Sequence, residues 1–356
     1  MAMAKQRESN IELLRLVVMA FIVLHHFIFH GLGQYRFLSF GETPLLSSSQ
    51  IDYALIVDSF LIAAVDVFIL ISGYFSIKFK AGGFVKLFSV VSFFAMMGFC
   101  NYLYTNGLQG GVIGSIGRIA QRGIFVISNK TYWFIQYYFI LMFLSSPINK
   151  YVEVATKKSL LTTILILLFV NVYLGWMQDV TFVTDGYNLT NFIMLYLIGR
   201  YLKIYYHKHI ARKYDLLLFA GSSTITAILA VVLHRSGIDA YRVFCYNSPF
   251  VLISAISLFM LFTKIQYRSN VINYLAASCL SIYLMQEGGI HCYGQVRELY
   301  LRHGFTFNFW IWISLLFVLS MTIPLAVDKL RLLIFSHVEN KVSQLLDKHI
   351  FKRFFE

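Results

Sequence analysis

The feature that most constrains this chain is a series of apolar runs too long for the core of a water-soluble domain. A helix crossing a bilayer needs about 20 mostly apolar residues. Candidate crossings are residues 11–29, 56–75, 84–104, 132–145, 160–176, 191–204, 216–234, 243–262, 271–285 and 309–327, several of which extend into polar flanks. They predict an all-α, polytopic integral membrane protein with about ten transmembrane helices. Composition agrees: 58% of the 356 residues are hydrophobic and 13% are charged, against about 25% charged in soluble domains. That much apolar surface cannot be hidden inside one water-exposed globule. A soluble enzyme, a disordered chain and a secreted disulfide scaffold are excluded. Cys100, Cys245, Cys279 and Cys292 lie far apart, so neither a disulfide framework nor a zinc site is expected.

Thirty Lys and Arg face 17 Asp and Glu, a net charge of +13. In a membrane chain that excess belongs to cytosolic loops beside anionic lipid, not to nucleic acid. With the N-terminus placed in the cytosol, 21 basic residues fall in inner loops and tails, 8 in outer loops, and Arg15 within the first span. The bias predicts both termini in the cytosol. Trp133, Trp176, Trp310 and Trp312 then sit at outer helix ends, as an interfacial belt places them. No small-residue cleavage site follows the first apolar run, which is expected to stay as a helix. Residues 1–335 are expected to form a single transmembrane domain. Residues 336–356, where Leu, Ile and Phe alternate with Lys, Arg and His, are expected to form a basic amphipathic tail on the inner leaflet. Residues 108–128 fit this scheme poorly, because six glycines from Gly107 to Gly123 surround Arg118 and Arg122. An interfacial helix and a re-entrant segment lining a polar cavity are both open readings.

Ionisable groups inside spans are costly and usually mark a functional cavity. The first segment carries Glu12, Arg15, His25, His26 and His30. Arg15 and His26 are 11 residues apart, about three helical turns, so they share a face about 16 Å apart along the axis. Glu8, Glu12 and His30 join that stripe, and His25 points roughly a quarter turn away. Arg15 reads either as a snorkelling residue paired with Glu12 or as a ligand-binding cation. His26 reads as a structural histidine or as a catalytic base, since imidazole titrates near neutral pH and can take a hydroxyl proton. His26 and His30 at i, i+4 lack an obvious third ligand, so no metal is expected. Asp66 lies mid-span, either in a helix-packing hydrogen bond or orienting a helix-one histidine; Asp58 precedes it in the same segment. Ser72-Gly73 is expected to be a close helix contact. Gln286, Glu287 and His291 emerge in the layer of His26 and His30, with Glu287 and His291 i, i+4 neighbours if the helix continues. Tyr246-Asn247-Ser248-Pro249 is either a kink or a pocket-lining break. Gly-x-Ser-x-Gly, a P-loop and His-Glu-x-x-His are absent from the sequence, and nothing points to nucleotide hydrolysis.

Four features together resemble the acyltransferase-3 superfamily of membrane O-acyltransferases. They are Arg15-x10-His26, Asp66-Val-Phe-Ile-Leu-Ile-Ser-Gly-Tyr74, Tyr132-Trp-Phe-Ile running to Ser145-Ser146-Pro147, and Ser281-Ile-Tyr-Leu-Met-Gln286. Leu195-Tyr-Leu-Ile-Gly-Arg200 lies between them, so the likeness spans nearly the whole chain. The chain departs from the family where members often carry a histidine and it has Gln286, with His291 a candidate substitute. The Trp133 segment also lacks the glutamate of a Trp-Ser-Leu-x-x-Glu helix. With no appended domain after the spans, it resembles the standalone form.

The resemblance implies a multi-pass enzyme of the bacterial inner (plasma) membrane. Such an enzyme moves an acyl group, usually acetyl, from cytosolic acetyl-CoA to a hydroxyl of a surface polysaccharide or lipid-linked glycan, without a metal. On that reading Arg15, Lys78 and Lys80 bind the CoA phosphates. His26 is the general base or a transient acyl carrier, with Asp66 or Glu287 orienting its ring. His25, His30, Trp133, Gln286, Glu287 and His291 contact the acceptor. A transporter or flippase for a glycan or lipid precursor would use the same stripe as a pathway, yet paired interrupted helices in two matching halves are not evident. A scaffold would leave Glu12, Arg15, His26 and Asp66 without a use.

Overall fold

The computed structural model describes residues 8–33, 45–108, 110–128, 130–206 and 211–351. Of the basic residues counted above, Lys5, Arg7, Arg36, Lys208, Lys352 and Arg353 lie outside the described residues, as does the end of the tail. Among the described residues every regular element is a helix. In chain order they are α1 (Ser9–His26), α2 (Ser48–Leu61), α3 (Ala64–Phe75), α4 (Ala81–Asn106), α5 (Gly111–Ile124), α6 (Trp133–Val154) and α7 (Lys157–Leu168). They continue with α8 (Leu189–Tyr205), α9 (Arg212–Arg235), α10 (Pro249–Thr263), α11 (Asn270–Ala276), α12 (Leu280–Glu287), α13 (Tyr293–His303) and α14 (Phe307–Leu346).

Seven described helical stretches are long and apolar enough to cross a membrane: Ser9–Gly31, Ser48–Phe75, Ala81–Asn106, Lys157–Met177, Arg212–Arg235, Tyr241–Thr263 and Phe307–His349. They coincide with seven of the ten expected segments. The other three are helical in different ways. Residues 132–145 enter α6, which carries Pro147. Residues 191–204 fall in the 17-residue α8. Residues 271–285 break into α11 and α12. Residues 336–346 continue α14 without interruption, since neither Gly nor Pro occurs between Pro324 and Leu346 to stop it.

The chain forms two compact units. The first comprises Met1–Ser76, Lys150–Ala277 and Tyr293–Phe317. Its tightest crossing joins α3 to α8, where a side chain on Gly73 would collide with the carbonyl of Tyr196, and one on Gly199 with that of Leu70. The expected small-residue contact at Ser72-Gly73 is therefore present, and its cause is close backbone approach. Helices α9 and α10 are joined by hydroxyls: Ser254 Oγ lies 2.7 Å from Ser222 Oγ and 3.1 Å from Ser223 Oγ. Lys264 and Asp215 form a buried ion pair in the same unit. Pro249 is the first residue of α10, where a missing N–H leaves no acceptor unsatisfied, so it starts a helix and does not kink one. Before it, the Asn247 amide donates to the carbonyls of Asn171 (2.9 Å) and Val183 (3.0 Å).

The second unit comprises Ile77–Asn149, Ser278–Cys292 and Val318–Glu356. In it α5 folds back on α4 through a turn in which Gly107, Gly110 and Gly111 all take positive φ, a conformation that favours glycine. Ser92 Oγ on α4 donates to the carbonyl of Gly123 at 2.6 Å. Arg331, counted from sequence among inner-loop cations, is instead buried on α14. There it donates to Asp328 (2.7 Å), Glu339 and Ser89 (3.1 Å), and burial is tolerated because its charge is paired.

Candidate active site

The C-terminal end of α1 places two adjacent histidines against different elements of the first unit. Successive residues point about 100° apart around a helix, so His25 and His26 cannot share a partner face. His25 Nδ1 lies 2.6 Å from Asp58 Oδ1 on α2. The carboxylate is 1% exposed and the imidazole 12%. A carboxylate only accepts, so against it Nδ1 is the donor and Nε2 is left facing away from Asp58. The ring stacks on Phe29 at 5.1 Å.

His26 faces α13 instead. Its Nδ1 shares a hydrogen bond with the Tyr293 hydroxyl at 3.0 Å. The Tyr293 ring stacks on His30 at 5.1 Å, and His30 meets His26 edge-on at 5.3 Å. Beyond His26 the chain loosens into a π-helix over Phe27–Gly31, a departure from α geometry that often accompanies function. Gly31 then receives Val296 so closely that a methyl group there would meet it at 2.7 Å. That contact seats α13 against the histidine end of α1.

Two carboxylates invite comparison. Asp66 is 1% exposed on α3, and its Oδ2 has no hydrogen-bond partner among the described residues. It does not orient a helix-one histidine; Asp58 does that for His25. The reason is a turn at Ile62–Ala63, which divides the expected second span into α2 and α3 and gives its two aspartates separate directions. Arg15, about a third exposed, lies 3.4 Å from Glu12 Oε1, so the expected i, i+3 pair is formed.

The remaining expected site residues belong to the second unit. Lys78 and Lys80 are exposed on the extended stretch before α4. Trp133 opens α6 with its ring edge-on to Phe134, and Gln286 is buried in α12. Helix α12 ends at Glu287, because Gly288 and Gly289 follow and Gly289 turns the chain at φ +92°. Glu287 and His291 are thus not successive turns of one helix, yet both line a cavity of about 1040 Å³ together with α4 and α5. Gly98 on α4 makes this corner possible, since any side chain there would strike the Gly288 carbonyl. Tyr132 closes the cavity floor and donates to the Leu284 carbonyl at 3.1 Å. Partial burial pushes the pKa of His291 below the usual histidine range.

From the sequence, Asp58 is one more acid in the second span with no assigned role, and Tyr293 stands out by no motif. A carboxylate in an apolar run was a usable signal for the first. A tyrosine 267 positions from its histidine partner offered none.

A family model described as an acyltransferase domain matches residues 8–329. Searches of curated proteins and of solved structures each found no match.

Proposed function

Because the chain belongs to the acyltransferase-3 family, we propose that it moves an acetyl group from cytosolic acetyl-CoA to a hydroxyl of a surface polysaccharide or lipid-linked glycan at the bacterial inner membrane. The observation that carries this reading is the histidine pair at the end of α1, with each Nδ1 engaged by a neighbouring side chain. A ring held through Nδ1–H offers Nε2 to a hydroxyl proton. In the proposed step the acceptor oxygen attacks the thioester carbonyl and the C–S bond breaks. The His26 imidazole takes the hydroxyl proton and returns it to the departing CoA sulfur, so protons and electrons balance. In the relay variant His26 first carries the acyl group itself. Arg15, with Lys78 and Lys80, supplies cations for the CoA phosphates. Both termini in the cytosol and about ten spans are part of this reading.

A second assignment of the base is favoured by the Asp58 carboxylate. In this assignment His25 is the proton acceptor, and His26 with Tyr293 orients the acceptor hydroxyl. Removing the general base costs typically 10²–10⁴-fold, which separates the two.

The test is surface-glycan O-acetyl content, by proton NMR, in cells carrying wild-type chain, His25→Ala or His26→Ala at matched membrane levels. Loss of the acetyl signal in His26→Ala with retention in His25→Ala supports His26 as base, and the reverse supports His25. Acetylation by both variants above an empty-vector control overturns the role of the pair. A wild-type chain that translocates glycan in vesicles without releasing CoA from acetyl-CoA overturns the enzyme reading in favour of transport.

A further inference from the structure

We propose that the cavity of the second unit is the acceptor site, and that it takes a saccharide bearing one anionic group, held on Arg118 and Arg122. The proposal rests on the acceptor-hydroxyl reading above and adds the substrate class and its place in the fold.

Helix α5 has two faces with different surroundings. Val112, Ile113, Ile116 and Ile124 are exposed, Ile113 by 88%. Arg118, Gln121 and Arg122 project from the opposite face and line the cavity. A helix with an exposed apolar face and a cationic opposite face lies in the membrane interface. The two alternatives for residues 108–128 thereby merge: the helix is interfacial on one side and lines a polar cavity on the other. A glycan held at headgroup depth meets this opening without crossing hydrocarbon.

The lining suits a sugar. Phe99 and Tyr102 stack on each other at 5.7 Å, which gives an aromatic surface for the C–H face of a pyranose ring. Arg122 is held over Phe99 at 5.7 Å, with Nη1 3.5 Å from Thr131 Oγ1. Asn101 donates to the Gly289 carbonyl at 3.2 Å and keeps its own carbonyl oxygen as an acceptor. Arg118 forms no ion pair with another described residue, so its fork of donors is available to a ligand carboxylate or phosphodiester. At about 1040 Å³ the cavity is at the upper end of small-molecule sites, roughly 300–1,000 Å³.

Charge excludes the other large substrate. Two guanidiniums face one carboxylate, Glu287, and His291 stays neutral through its burial. A net charge near +1 matches a single anion and falls short of the several phosphate charges of CoA.

The test uses the full chain in nanodiscs of zwitterionic lipid. The probe is surface polysaccharide extracted from the source cell, stripped of O-acetyl groups with mild alkali and labelled with fluorescein. A second sample has its carboxyl groups reduced to alcohols. The expected result is at least 10-fold weaker binding for Arg118→Gln and for Tyr102→Ala, partial retention for Arg118→Lys, and a shallower salt dependence for Arg118→Gln. Arg118 is exposed, so its variants preserve the fold, and unchanged acetyl-CoA binding verifies this. Wild-type binding that is absent, or equal in Arg118→Gln and Tyr102→Ala, overturns the proposal. So does wild-type binding abolished by phosphatidylglycerol in the nanodisc, which assigns the arginines to a lipid headgroup. If the variants lose glycan binding but wild type releases no CoA, the acetyl-transfer reading fails and the cavity assignment stands. If transfer proceeds with the glycan KM unchanged in Arg118→Gln, the reverse holds.

Discussion

The imidazole of His25 and the carboxylate of Asp58 meet at 2.6 Å between α1 and α2, with the carboxylate sealed from solvent. A hydrogen bond to a charged group contributes more than a neutral one, about 1.5–3 kcal/mol, and losing one partner leaves the other buried and unsatisfied. Asp66, equally buried, has an oxygen with no partner. Asp58→Asn is expected to lower the melting temperature in detergent, while Asp66→Asn lowers it less, since the Asp66 Oδ2 has no hydrogen bond to lose. Equal losses in both variants refute the distinction.

Tyr293 acts on His26 through its hydroxyl. Tyr293→Phe keeps the ring that stacks on His30 and removes the hydroxyl that bonds His26. About a fivefold fall in kcat is expected, the size of one ordinary hydrogen bond's net contribution of about 1 kcal/mol, with the acetyl-CoA KM unchanged. The pH dependence of kcat should shift as well, because the ring's tautomer is no longer biased. A variant with wild-type kcat and pH profile removes Tyr293 from a positioning role.

Gly73 and Gly221 offer a matched pair of helical glycines. A methyl group on Gly73 strikes the Tyr196 backbone, whereas one on Gly221 meets nothing within 4 Å. Gly73→Ala is expected to destabilise by about 1–3 kcal/mol through overpacking. Gly221→Ala should stabilise slightly, by about 0.5–1 kcal/mol, because Ala loses less backbone entropy in a helix. Thermal unfolding of the two variants in the same detergent reads the difference, and similar shifts contradict the close crossing of α3 and α8.

His291 supplies a pH signature. Burial lowers its pKa in the folded chain, while the unfolded chain keeps the ordinary value of about 6.5. Between the two values the unfolded state binds more protons, so stability rises with pH. The contribution is complete above about pH 6.5 and is lost as pH falls through that value toward the folded pKa. Melting temperatures between pH 5.5 and 7.5 should fall more steeply on acidification for wild type than for His291→Asn. Parallel curves mean the imidazole is not desolvated.

Local periodicity carries a great deal in a membrane chain. Apolar run length alone marks the spans, because an unpaired backbone cannot lie in lipid. Helical spacing alone places Arg15, His26 and His30 on one stripe, predicts the Arg15–Glu12 pair and turns His25 aside. The family was legible for the same reason, since its motifs are strings of neighbours within single helices. What His25 turns toward is a different kind of fact. Asp58 is 33 positions away and Tyr293 lies 267 from His26. Whether they meet the histidines depends on helix rotation, depth and tilt, and on breaks such as Ile62–Ala63 and Gly288–Gly289 that reset direction by a few residues. Arg331 shows the same limit: charge counting gave it to a loop, and packing buried it among Asp328, Glu339 and Ser89. Helical periodicity sets which residues share a face. Which faces meet is left to the packing of helices against one another, a geometry that no local pattern encodes.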